Sequence, residues 1–203
     1  MAHIPDGVLS APVLIGGALA SAALVTLATR RLDYARIPQA AVLAAAFFVA
    51  SLLTVPVGPS SVHLLLNGLM GVLLGWAAVP AVLVALLLQA VFFGYGGLLV
   101  LGVNAFNIAA PALLCSLLIA PRLHAAQGRA LFAWGALAGA TGVLLTGALL
   151  CLSLLLSGPE YRPASTVVLF TYLPLMLAEA AVTGAALRFI QRVAPKLLTT
   201  GRV

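Results

Sequence analysis

Residues 37–121 read IPQAAVLAAAFFVASLLTVPVGPSSVHLLLNGLMGVLLGWAAVPAVLVALLLQAVFFGYGGLLVLGVNAFNIAAPALLCSLLIAP, with no aspartate, glutamate, lysine or arginine among them. A helix that crosses a bilayer needs roughly 20 mostly apolar residues, so this run holds several crossings. Residues 7–29 and 130–159 are two further uncharged blocks. In lipid every backbone amide must be paired within the chain, which leaves helices or a closed barrel. The continuous alanine, leucine and valine runs lack the polar alternation of barrel strands.

Composition agrees with these runs. Of 203 residues, 64% are hydrophobic and 7% charged, where a soluble domain carries about 25% charged. The net charge of +6 does not imply a nucleic-acid partner, because the basic residues stand at the ends of apolar runs with no stripe and no interleaved aromatics. That placement marks membrane topology. Cys115 and Cys151 lie inside apolar runs without a Cys-x-x-Cys spacing, so they read as small buried residues rather than a thiol site.

The fold class is an all-α integral membrane protein of about seven transmembrane helices. They cover Ser10 to Thr29, Pro38 to Val55, Leu64 to Val79, Pro80 to Gly94, Val103 to Ile119, Ala130 to Ser157 and Thr166 to Ile190. With the N-terminus outside, the cytoplasmic loops and tail hold Arg30, Arg31, Arg36, Arg122, Arg129, Arg188, Arg192, Lys196 and Arg202, and the outer loops hold only Arg162. This is the positive-inside bias, and it puts the C-terminus in the cytoplasm. The chain is then one transmembrane domain: an outer N-terminal segment (1–9), a helical bundle (10–190) and a basic tail (191–203). No basic residue precedes the first apolar run, so a cleaved signal peptide is not expected. Gly71/Gly75, Gly135/Gly139, Ala18/Ala22 and Ala40/Ala44 have the spacing of close helix packing. Glu179, inside the last span, reads as a structural ion pair with a cytoplasmic-side arginine such as Arg122. His124 reads as a solvated loop residue.

His3 and His63 fall on the same, outer, side. The chain begins Met1-Ala2-His3-Ile4-Pro5-Asp6-Gly7. A histidine so near a free α-amine can chelate a metal through the amine, a deprotonated amide and the imidazole. Coplanar nitrogen donors suit Ni(II) and Cu(II), and amide deprotonation couples such binding to pH. His63 is the one imidazole in residues 37–121, and ionisable groups at membrane depth are functional candidates. Its loop, Pro56-Val-Gly-Pro-Ser-Ser-Val-His63, suits non-helical backbone lining a cavity. Two readings of His63 stand at this point: a ligand completing a four-nitrogen site, or an interfacial residue bonded to a carbonyl.

The runs His-Ile-Pro-Asp-Gly-Val-Leu-Ser at residues 3–10, Gly-Pro-Ser-Ser-Val-His-Leu at 58–64 and Leu-Leu-Asn-Gly-Leu-Met-Gly-Val-Leu-Leu-Gly at 65–75 resemble the nickel and cobalt substrate-binding subunits NikM and CbiM of energy-coupling factor (ECF) transporters. Phe-Phe-Gly-Tyr-Gly-Gly at 92–97 and Leu-Gly-Val-Asn-Ala-Phe-Asn at 101–107 extend the likeness. The resemblance implies an N-terminal segment folded back into the bundle. It also implies a metal held by the terminal amine, the backbone nitrogen and side chain of His3, and the side chain of His63. Pro5, Asp6 and Gly7 would shape that plug. Asp6, accepting from backbone nitrogens, and Asn67, Asn104 and Asn107 would support it. The family pattern begins Met-His, whereas this chain has Ala2 between. Loss of Met1 would make Ala2 the amine donor and restore the spacing. Retention would give Met1-Ala2-His3 four nitrogens of its own, with His63 axial or unneeded.

The cargo implied is Ni(II) or Co(II), with nickel mildly favoured by planar nitrogen donors and by the Irving–Williams order. Copper also fits the donor geometry. No phosphate-binding Gly-x-x-x-x-Gly-Lys-Ser/Thr run occurs, so ATP hydrolysis is not this chain's work. The resemblance implies partners: an ECF transmembrane coupling subunit and ATPase subunits, in the cell's inner (plasma) membrane. The chain therefore reads as a non-enzymatic, multi-pass carrier. The alternatives are a membrane-embedded metalloenzyme, for which Asp6 would be the acid or base, and a structural membrane subunit.

Overall fold

The structure is a computed structural model, and it describes residues 3–57, 60–123 and 125–199. The elements in order are α1 (Ala11–Arg30), α2 (Ile37–Leu52), β1 (Val55–Val57), β2 (Ser60–Val62), α3 (Asn67–Leu74), α4 (Ala78–Phe93), α5 (Leu101–Leu118), α6 (Ala120–Leu123), α7 (Gly128–Ser157), α8 (Arg162–Val193) and α9 (Lys196–Thr199). Apolar side chains cover the outside: Ile15, Leu19, Val42, Phe92, Phe170, Leu177 and Phe189 are all exposed. In water such a surface would drive association, whereas against lipid tails it needs no partner. The protein is a predominantly helical, multi-pass membrane protein with one short β-hairpin.

Among the described residues, six helical segments are long and apolar enough to cross: Ala11–Arg30, Tyr34–Leu52, Asn67–Phe93, Leu101–Leu118, Gly128–Ser157 and Pro159–Val193. The sequence suggests about seven, and the difference lies in residues 64–93. The stretch from Leu64 to Val79 is no full-length helix. Residues 63–66 are non-helical, α3 has only eight residues, and Gly75 (φ +61°) ends it. At about 1.5 Å per residue, α3 spans only ~12 Å.

The path through this region is nonetheless a return trip. Helices α2 and α4 run parallel: Arg36, before α2, donates to the Leu74 carbonyl (3.2 Å), before α4. Near the other ends, Gln89 donates to Ser51 (2.9 Å) and the rings of Phe48 and Phe93 lie 5.4 Å apart. Two parallel helices joined in sequence require the chain to come back between them. The β1–β2 hairpin, which pairs Val55 with Val62 and Val57 with Ser60, turns the chain, and residues 63–66 with α3 bring it back.

All eight residues of α3 are buried, because glycine lets it touch two neighbours backbone to backbone. A Cβ on Gly68 would run into the Ala138–Gly139 backbone of α7, and one on Gly71 into the Ala112 backbone of α5. Helices α7 and α8 meet in the same way, with Gly139 against Glu179 and Thr183, and Gly135 against Gly184 and Leu187. Gly102 of α5 lies on Ala18 of α1. The small-residue spacings are thus spent largely on packing within the chain.

The Glu179–Arg122 ion pair expected from the sequence does not form. Arg122 donates to the Leu118 carbonyl and lies over the Trp134 ring (5.4 Å), while Glu179 faces the loop that follows His63. His124 and Arg202 lie outside the described residues. Both cysteines are free and buried, and Cys115 contacts the Ala138 carbonyl at 3.4 Å.

Candidate metal centre

The segment before α1 runs inward and is fixed residue by residue. Ile4 is buried, and its backbone pairs twice with one side chain: its N–H donates to Asn104 Oδ1 (3.1 Å) and its carbonyl accepts from Asn104 Nδ2 (3.0 Å). The Asp6 N–H donates to the Gly96 carbonyl (2.8 Å), and Asp6 Oδ1 accepts from the Val100 N–H (3.0 Å) at the start of α5. Gly97 makes room for this, since its φ of +128° suits glycine and a Cβ there would occupy the space of the Asp6 carboxyl. The Ser10 N–H donates to Ser157 Oγ (3.2 Å) of α7. Asp6→Ala removes the acceptor for an orphan amide at the α5 N-terminus. It is expected to cost about 1–2 kcal/mol, read as a lower melting temperature in detergent.

These contacts place His3, 4% exposed, beside His63, 3% exposed. The two rings lie 5.1 Å apart, centroid to centroid, tilted by 34°. The chain departs from this point at His63 and comes back to it at Gly96, where a Cβ would lie 3.5 Å from that of His3. His63 Nδ1 is 2.9 Å from the Leu64 carbonyl, a contact that requires an N–H there. Its Nε2 is left with the lone pair. Among the described residues, Nε2 of His63 and both ring nitrogens of His3 are buried without a hydrogen-bond partner. Three bare nitrogens in one buried spot are unusual, because an unsatisfied buried polar group costs about 1–3 kcal/mol.

Burial, and secondarily the neighbouring His63, push the His3 imidazole down to about 3. That ring is therefore neutral at physiological pH, the form that ligates metals. Among the described residues, no third histidine, cysteine, aspartate or glutamate joins His3 and His63.

Met1 and Ala2 lie outside the described residues. Asp6 and Asn104 hold the N-terminal segment, as described. Asn67 instead ties the bundle together: its Nδ2 donates to Thr146 Oγ1 (2.9 Å), with the Ile108 and Gly142 carbonyls at 3.3 Å, and its Oδ1 accepts from the Gly68 N–H. Asn107 donates to Ser153 Oγ (3.2 Å), linking α5 to α7. Glu179 escapes sequence reasoning as part of this region. Its signal was that of a lone carboxylate inside an apolar span, which points to function without naming a partner.

The family model for the cobalt uptake substrate-specific transmembrane region, CbiM, matches residues 3–197. A Haemophilus influenzae protein named for metal transport is 40% identical over 200 residues, covering 97% of this chain and 96% of its own length. The cobalt transport protein CbiM of Sorangium cellulosum is 34% identical over 171 residues, covering 79% of this chain and 76% of its own. A crystal structure of a transition metal transporter superposes with a TM-score of 0.80 at 26% identity, covering 94% of this chain and 93% of that one. The chain belongs to the CbiM family of cobalt and nickel transporter membrane components.

Proposed function

We propose that this chain is the substrate-binding subunit of an ECF-type importer in the inner (plasma) membrane, and that it captures Ni(II) or Co(II) from outside. The observation that carries the reading is the buried His3–His63 pair, with three ring nitrogens that have no partner among the described residues. In this reading His3 binds through its side chain and backbone nitrogen, His63 through Nε2, and the terminal amine of Met1 or Ala2 completes a nitrogen set. The metal is cargo, and nickel is mildly preferred by such donors. Residues 1–9 form the outer metal-binding segment, 10–190 the bundle and 191–203 a basic cytoplasmic tail. The chain crosses seven times, with the stretch from Leu64 through α3 as the short third crossing, N-terminus outside and C-terminus inside. A transmembrane coupling subunit and ATPase subunits supply the energy.

The test is a titration of purified, detergent-solubilised protein with Ni(II) and Co(II), before and after acetylation of the N-terminus. One equivalent should bind, and free nickel at 100 times its dissociation constant should stabilise the fold by about 2.7 kcal/mol. Acetylation should abolish both effects. Absence of stoichiometric binding by the unmodified protein would sink the reading.

A further inference from the structure

The peptide joining Leu64 to Leu65 is hydrogen-bonded at both ends. Its carbonyl lies against His63 Nδ1 (2.9 Å), and its N–H donates to Glu179 Oε1 of α8. The next N–H, of Leu66, donates to the same oxygen at 2.8 Å. Glu179 is fully buried. Leu66 has φ +50°, the only positive value at a non-glycine among the described residues. Such a conformation persists only where the surroundings over-determine it.

We propose that Glu179 is a positioning residue for the cargo site, acting on His63 through the Leu64–Leu65 peptide. The Glu179 oxygen fixes the peptide plane, and the peptide carbonyl fixes the Nδ1–H tautomer and the ring rotation. Nε2 is then the ring nitrogen that keeps its lone pair, in a ring 5.1 Å from that of His3. Ligating histidines usually donate their other ring N–H to a carboxylate or carbonyl, and loss of such a partner costs about 10–100-fold in metal affinity. Here one peptide unit is inserted between carboxyl and imidazole, and the bonds in such a chain polarise one another. The assignment rests on the metal-binding reading above. The competing account makes Glu179 only a cap for the α3 N-terminus that stabilises the bundle.

The two accounts differ in a double-mutant cycle with nickel titrations of the full chain. Glu179→Ala should weaken nickel binding about 10–100-fold, and Glu179→Gln, which keeps an acceptor oxygen, should restore most of it. In a His63→Ala background, Glu179→Ala should add less than roughly twofold, because the two changes share one path. Equal losses in both backgrounds, or a glutamine variant as weak as the alanine, would overturn the proposal. A metal-free readout runs alongside: the rate at which diethyl pyrocarbonate modifies His63, resolved by mass spectrometry. That rate should rise several-fold in Glu179→Ala, and an unchanged rate would also overturn it. If the unmodified protein takes up no nickel, the transport reading fails by itself. The modification rates still decide whether Glu179 holds His63.

Discussion

Replacing His3 with alanine is expected to weaken nickel binding by more than about 100-fold, beyond the 10–100-fold typical of a lost supporting partner. The substitution removes a side-chain donor and breaks the chelate that links the amine to the imidazole. The fold should survive it, because the segment is anchored by neighbours that stay in place. Ile4 keeps both bonds to Asn104, and Asp6 keeps Gly96 and Val100. Removing His3 also removes two buried nitrogens that have no partner among the described residues, which offsets part of the cavity left behind. A titration followed by the absorption of planar nickel, paired with a melting curve of the metal-free protein, separates the two effects. A metal-free protein that no longer folds would show that His3 is chiefly structural.

Gly71→Ala is the substitution expected to damage the fold most. A single methyl there meets the Ala112 backbone, with the carbonyl carbon at 2.7 Å and Cα at 3.0 Å. Backbone inside a packed helix cannot rotate away as a side chain can, so the cost should reach or exceed the 1–3 kcal/mol or so of ordinary overpacking. Moving α3 off α5 also moves the residues just before it, so nickel affinity should fall with the melting temperature. The control is Gly16→Ala in α1, where nothing lies within 4 Å of the new Cβ. That change should be neutral or stabilise by about 0.5–1 kcal/mol through helix propensity. Equal melting temperatures for the two variants would contradict the packing described for α3.

The helices that cross on their own were legible because their signal is local. Long uncharged runs, with arginines at the ends, need no knowledge of what packs against them. The region around α3 was not, because what shapes it is distant in sequence. Residues 63–66 are as apolar as a helix, and they are held non-helical by an oxygen at position 179. Pro80 suggested a helix start, yet α4 begins at Ala78. A proline is tolerated anywhere in the first turn, where its missing N–H has no partner to lose. The approach of His63 to His3 was readable from one-sided topology and motif likeness, and so was an acceptor role for Asp6 towards backbone nitrogens; the pairing of Asn104 with the Ile4 backbone was not. The structural work of Asn67 and Asn107 was not, because an asparagine inside an apolar helix looks the same whichever helix it bonds to.

The bonds around His3 and His63 have a consequence for how the chain is made. Ile4 waits for Asn104, Ser10 for Ser157, and Leu65 for Glu179. Contacts so far apart in sequence close late, since the intervening chain must first be ordered. The opening residues leave the ribosome long before the helices that will hold them. Until α8 has been inserted and docked, the loop carrying His63 lacks its anchor. A chain cut short between residues 63 and 179 would carry both imidazoles and still lack that anchor, so a well-formed histidine pair also marks a molecule whose synthesis has reached α8.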